Sequence, residues 1–173
     1  MIPYFNFSFR PMSSEKELHL LKTHLLTQTL NYPNYCDWVE RAIDEIDQGY
    51  KQTILAFRDS SLVGNLIYQS HKSLKGFVEI KNSRISPELS NRHFCKFMFR
   101  QAEVISKEQG NLAVICDFHS SRKDIFWMLI GMGYKPVCDS YLYDENTPET
   151  IMAKPLTRDL DDSLILNATG KII

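Results

Sequence analysis

Residues 76–110, GFVEIKNSRISPELSNRHFCKFMFRQAEVISKEQG, hold the chemistry most readable in this chain. Phe77, Glu79 and Lys81 alternate with Val78, Ile80 and Asn82, the two-residue period of a strand. Ser86-Pro87 ends it, because proline has no donor for a sheet ladder and holds its predecessor extended. Phe94, Phe97, Met98, Gln101, Ala102 and Ile105 then recur at helical spacing, with Ser90 or Asn91 available as N-cap and Gly110 as the stop. A strand feeding through a tight loop into a helix leaves backbone amides unpaired at the helix start, and with the helix dipole they form a seat for a phosphate. Arg92 and Lys96 stand there either as charge partners for that phosphate or as the solvated basic start of an ordinary helix.

Other reactive types form no comparable pattern. His93-x-Cys95 lacks the ligand spacing of a structural zinc site, so no metal is expected. Cys36, Cys95, Cys116 and Cys138 include no C-x-x-C pair and read as reduced thiols. A cysteine nucleophile would need its own histidine constellation, and buried inert thiols are the commoner outcome.

In order, FVEIKNSRISPELSNRHFCKFMF resembles the acyl-CoA-binding segment of the GNAT superfamily of CoA-dependent acyltransferases. The family pattern is a strand, a small apolar residue, x-Pro-Glu, Arg/Gln-x-x-Gly-x-Gly/Ala, then an apolar helix. Ile85, Pro87 and Glu88 match it, while Ser90, His93 and Cys95 stand at the Arg/Gln, Gly and Gly/Ala positions. The resemblance implies acetyl-CoA or another acyl-CoA as co-substrate, with the main chain of Ser83, Arg84 and Ile85 pairing the pantetheine arm. It places Asn91, Arg92, His93, Phe94, Cys95 and Lys96 around the diphosphate. Histone-acetylating members carry Phe-Ala-Glu-Ile where this chain has FVEI, so Glu79 is the implied base that takes the proton from the acceptor amine. The reading of the residues alone leaves Glu79 as a strand carboxylate ion-paired with Lys81 or a neighbour. Leu129 stands where the family's leaving-group tyrosine belongs, and Arg122 where it carries an asparagine; Tyr141 or Tyr143 is the substitute acid.

The elements that must position these residues follow in order. Tyr4 to Arg10 reads as a first strand, and Ser13 or Ser14 caps a helix through Leu18, Leu21, Leu25 and Leu26 to about Thr29. Pro33 and Asn34 break the chain before a second helix with Trp38, Val39, Ala42, Ile43 and Ile46 on one face, stopped by Gly49. In the family such helices wall the acceptor site, which makes Tyr32, Tyr35 and Trp38 substrate-binding candidates; the alternative is aromatic anchoring of a helix to the sheet. QTILAFRD and LVGNLIYQS form a hairpin about Asp59-Ser60-Ser61. LAVICDF reads as a strand buried on both faces, Ser120 or Ser121 caps a helix closed by Gly133, and VCDSYLYD and TIMAKPL form the last strands about a loop from Glu145 to Glu149. The expected fold is α/β (α+β): a GNAT-like mixed, mostly antiparallel sheet of about seven strands flanked by about four helices, in a single domain over residues 1–156 with a C-terminal extension at 157–173.

The 173 residues are 43% hydrophobic and 24% charged, with a net charge of −1, an ordinary globular mixture with no basic run to suggest nucleic acid. No apolar run reaches membrane-spanning length and the first residues do not resemble a secretory signal, so a cytoplasmic protein is expected. Its partner is a small-molecule or protein amine acceptor; self-association as a homodimer is allowed by the apolar Leu164, Ile165 and Leu166. Two functions follow: an N-acyltransferase, of acetyl groups in the family's habit, or a GNAT-fold binding or regulatory module without transfer activity.

Overall fold

A computed structural model describes residues 6–27, 33–90 and 92–157. Its elements are β1 (Phe7–Arg10), α1 (Glu15–Thr27), α2 (Tyr35–Asp47), β2 (Lys51–Arg58), β3 (Ser61–Ser70), β4 (Phe77–Ile85), a 3-10 turn (Pro87–Leu89), α3 (Phe94–Glu108), β5 (Ala113–His119), α4 (Lys123–Ile130), β6 (Lys135–Asp144) and β7 (Thr147–Pro155). This is the order expected from sequence. Hydrogen bonds join the strands into one mixed sheet, β1-β2-β3-β4-β5-β7-β6. β4 and β5 are parallel, whereas β1–β2, β5–β7 and β6–β7 are antiparallel. Parallel neighbours require a crossover, and α3 supplies it.

The chain divides into two compact units, Met1–Tyr68 with Asn82–Gln101 and Gln69–Lys81 with Ala102–Ile173. In the first, Leu18, Leu21 and Leu25 of α1 and Val39, Ile43 and Ile46 of α2 pack on Leu55, Phe57 and Ile67 of the sheet. Each such side chain contributes about 2 kcal/mol by leaving water. Ser14 precedes α1, and Glu17 reaches back to the Ser13 amide at 2.8 Å while accepting from Arg10 at 2.5 Å. The Arg10 hydrogen bond, the largest cause, lowers the Glu17 pKa to about 2. Phe94 packs its ring against Phe7 and Phe9, and Gln101 donates to the Phe9 carbonyl at 3.0 Å, so β1 is tied to the first half of α3.

In the second unit, Phe77, Ala113, Ile115, Ile151 and Ala153 form one apolar face of β4, β5 and β7. Lys154 pairs with Glu103 at 2.5 Å and lies over the Tyr134 ring. Among the described residues no helix is long and apolar enough to cross a membrane.

Several boundaries differ from expectation. β6 and β7 run on to a two-residue turn, Glu145-Asn146, and take in the expected loop residues Thr147 to Glu149, because Glu149 and Thr150 are buried and pair with Ser140 and Asp139. Helix α4 begins after Arg122, since Ser120 and Ser121 are held in a turn by Thr150 and His119. It ends at Ile130; Gly133, at φ +89°, instead closes the following turn. Tyr4, Thr29 and all but the first residue of the 157–173 extension lie outside the described residues.

Gly64 sets how closely β3 approaches the end of β4. A Cβ there would meet Ile85 Cδ1 at 2.4 Å and the Arg84 carbonyl at 2.8 Å, and the second of these is backbone that cannot swing away. Gly64→Ala is expected to lower unfolding stability by about 1–3 kcal/mol in urea titration; an unchanged midpoint would show that the approach is not tight.

Candidate functional site

β4 carries two groups of candidate residues. In its first half, Phe77, Val78, Glu79 and Ile80 pair in parallel with Ala113, Val114, Ile115 and Cys116. Alternation puts Glu79 and Lys81 on the Phe77 and Ile115 face, and Asp117 joins them from β5. Glu79 accepts from Lys81 at 2.8 Å and from Gln69 at 3.1 Å, with both members of the ion pair only 18% exposed. Asp117 accepts from the Tyr143 hydroxyl at 2.9 Å. Burial pushes the Asp117 carboxyl above the usual carboxylate range, and the Glu79 charge adds to this, whereas Lys81 and the Tyr143 hydrogen bond act against it. The result is two carboxylates, one cation and one phenol in a half-buried cluster. Tyr141, two residues before Tyr143, is 63% exposed.

In the second half, Ser86 donates to the Val63 carbonyl at 2.8 Å, which ties the strand's end to β3. The Ser83 hydroxyl lies 3.2 Å from the Cys95 thiol of α3. Burial pushes that thiol up, with the Ser83 hydrogen bond opposing it, so Cys95 is a packed thiol rather than a nucleophile. The first backbone bond of α3 runs from Phe97 N–H to His93 C=O. The helix therefore starts at His93, not at Ser90, which instead closes the 3-10 turn. The amides of Phe94, Cys95 and Lys96 precede the ladder, and Arg92 and His93 are exposed. His93 has φ +65°, the left-handed region, at the position that the sequence pattern gives to glycine. The backbone thus keeps the glycine conformation although the residue has a Cβ. Asn91 lies outside the described residues.

Of the acceptor candidates, Tyr35 is 7% exposed, stacks on Trp38 at 5.7 Å and donates to the Leu25 carbonyl at 3.2 Å. Trp38 packs at the edge of the α1–α2 core. Tyr32 lies outside the described residues. At the two positions where the chain departs from the family pattern, Leu129 is buried and Arg122 forms a two-point pair with Asp124. All four cysteines are free thiols, and the described residues include no cluster arranged to hold a metal ion.

No family model and no curated protein matches the chain by sequence. Solved structures do match it in three dimensions. A protein from Desulfovibrio desulfuricans described as an acetyltransferase of the GNAT family superposes with TM-score 0.76 at 12% identity, over 87% of this chain and 99% of its own. The chain has the GNAT fold. The ribosomal-protein-S18-alanine N-acetyltransferase of Escherichia coli has that fold too, with TM-score 0.73 at 11% identity over 90% of this chain and 97% of its own. So does the PaiA N-acetyltransferase of Thermoplasma acidophilum, solved with coenzyme A, at TM-score 0.64 and 19% identity over 86% of this chain and 99% of its own. Among the described residues, the seven-stranded mixed sheet with four helices is the expected GNAT arrangement.

Sequence reading singled out Glu79 and Tyr143 but not Asp117. The signal was available: Asp117 is the one charged residue in the otherwise apolar run LAVICDF, and a carboxylate inside such a strand needs a partner or a task.

The left-handed His93 carries a local cost that glycine would not. His93→Gly is expected to stabilise the fold by about 0.5–1 kcal/mol in denaturant titration, the relief of strain outweighing the extra freedom of the unfolded chain. A loss of stability would show that the imidazole makes a contact worth more than the strain.

Proposed function

We propose that this protein is an N-acyltransferase that moves an acyl group, acetyl in the first instance, from acyl-CoA to a primary amine of a small molecule or protein. The observation that carries the reading is the cluster on β4, β5 and β6, where Glu79 and Asp117 flank Lys81 and Tyr143 bonds Asp117. The GNAT fold supports it, since solved proteins of that fold include one holding coenzyme A and one named for acetylating an alanine amine. Free thiols suit a reducing compartment, in keeping with a cytoplasmic location.

The residues fit the donor in main-chain terms. Amides of the first turn of α3 precede the helical ladder, with Arg92 exposed and Lys96 half-buried beside them, a set that suits a diphosphate. In this proposal Asn91 to Lys96 face the diphosphate and Ser83 to Ile85 offer main-chain groups to the pantetheine arm. The bound thioester supplies an activated carbonyl. The chain's own part is proton handling: an acceptor amine reaches the site as an ammonium, and a carboxylate must take one proton before nitrogen can attack.

Glu79 is the proposed base for that step, and Asp117 shares its work. Lys81 and Gln69 fix the Glu79 carboxylate in place, while burial keeps Asp117 closer to the pH at which it can exchange a proton. Formation of the C–N bond and cleavage of the C–S bond leave a thiolate that needs a proton. Tyr143 is the proposed relay, a reading supported by its hydrogen bond to Asp117; Tyr141 is the exposed alternative.

Thiol release from acetyl-CoA, measured over a panel of primary amines, tests the reading. Glu79→Gln is expected to cut turnover by about 10²-fold or more, and an unchanged rate at every pH would remove Glu79 from the reaction. A second measurement addresses Asp117. The Tyr143 hydrogen bond lowers the Asp117 pKa, so Tyr143→Phe raises it, and the acidic limb of the kcat/KM profile should move to higher pH whatever happens to the rate. A stationary limb would mean that Asp117 does not govern the step.

A further inference from the structure

Arg84, next to Ser83 on β4, presents an incomplete hydrogen-bond set. Its Nε and Nη2 atoms are buried, and neither has a partner among the described residues. Its surroundings belong to α1 and α2. The Tyr35 hydroxyl, which donates to the Leu25 carbonyl, also accepts from Arg84. His24 of α1 lies within the reach of its charge, and burial, then that charge, hold His24 below the usual imidazole range against the opposing charge of Glu88. No carboxylate among the described residues bonds the guanidinium.

Two buried and open N–H groups on a half-buried arginine are a costly arrangement for a residue with only a structural task. The pair left open is informative. Nε–H and Nη2–H point in parallel along one edge of the guanidinium plane, and their spacing matches the two oxygens of a carboxylate. Position along the strand separates this edge from the phosphate seat. Ser83 turns toward Cys95 at the start of α3, and its neighbour Arg84 turns toward Tyr35 and His24. An anion on Arg84 is therefore not the diphosphate proposed at α3.

We propose that the Arg84 side chain binds a carboxylate carried by the acceptor, so that the substrate class is amino acids or other amines bearing a carboxylate. This rests on the acyltransferase reading for its biological meaning, but the binding itself does not need transfer to occur. The planar Nε–Nη2 edge takes both carboxylate oxygens, and Tyr35 holds the guanidinium from the other side. Lysine at this position would keep the charge and lose the fork.

The test uses the full chain, with L-amino acids and their matching amides as probes. Without acetyl-CoA, thermal shift should show stabilisation by one or more amino acids and not by the amides, and Arg84→Gln and Arg84→Lys should abolish it. In turnover with acetyl-CoA, KM for the carboxylate acceptor should rise at least tenfold in both variants, while KM for the matching amide moves less than threefold. Ligand-free Arg84→Met should be at least as stable as the wild type, because removing two buried open N–H groups outweighs losing the one bond to Tyr35; a clear loss of stability would mark a structural arginine and overturn the proposal. Equal stabilisation by amides, or by neither probe, would also overturn it. Arg84 dependence that appears only with succinyl-CoA and uncharged amines would place the carboxylate on the donor and defeat the acceptor assignment. Failure of the acyltransferase reading looks different: carboxylate-specific binding would persist with no thiol release from any acyl-CoA.

Discussion

The architecture depends on one parallel ladder, four residue pairs long, between Phe77–Ile80 and Ala113–Cys116. Antiparallel strands can be joined by a tight turn, but this pair cannot, so the chain between them must leave the sheet and return. Pro87 makes it leave and α3 brings it back. A helix start directly after a strand end follows from that necessity, and so do the amides gathered there. The same ladder brings a β4 carboxylate, Glu79, into one cluster with a β5 carboxylate, Asp117. Each candidate feature thus traces to β4, the strand that makes this parallel pairing and feeds the turn before α3.

The charges around that ladder are arranged with unequal burial. Lys81 bonds Glu79 directly, while Asp117 accepts from the Tyr143 phenol and feels the lysine at longer range. Burial makes Asp117 readier to take a proton than an ordinary carboxylate. The Tyr143 hydrogen bond keeps it from being buried and unpaired, a state that would cost several kcal/mol.

Much of this was legible in the chain. Two-residue alternation in FVEI, helical spacing after Pro87 and the glycines at 49 and 110 place their elements correctly, since each signal arises from local backbone geometry. Other features were not local. Asp117 sits in a run that reads as wholly buried strand, and only its pairing with β4 and the approach of Tyr143 from β6 reveal a cluster. Ser120 and Ser121 look like helix caps, yet Thr150 and His119, distant or adjacent in the chain, claim their hydroxyls. At His93 the sequence pattern reports a lost glycine, whereas the backbone retains the glycine shape. Substitution in a loop can leave conformation intact when neighbouring elements over-determine it, and here the ring of Phe94, packed on Phe7 and Phe9, fixes the residue that follows.

The central claim is that this fold, with His93 and Cys95 in place of small residues, still seats an acyl-CoA. Isothermal titration calorimetry of the full chain with acetyl-CoA, repeated with adenine-nucleotide fragments that lack the pantetheine arm, measures this without any acceptor. The account predicts saturable one-to-one binding to acetyl-CoA that the fragments lacking pantetheine reproduce only weakly. No heat and no stabilisation at millimolar acetyl-CoA would contradict it, and would leave the chain as a GNAT fold that has given up the donor.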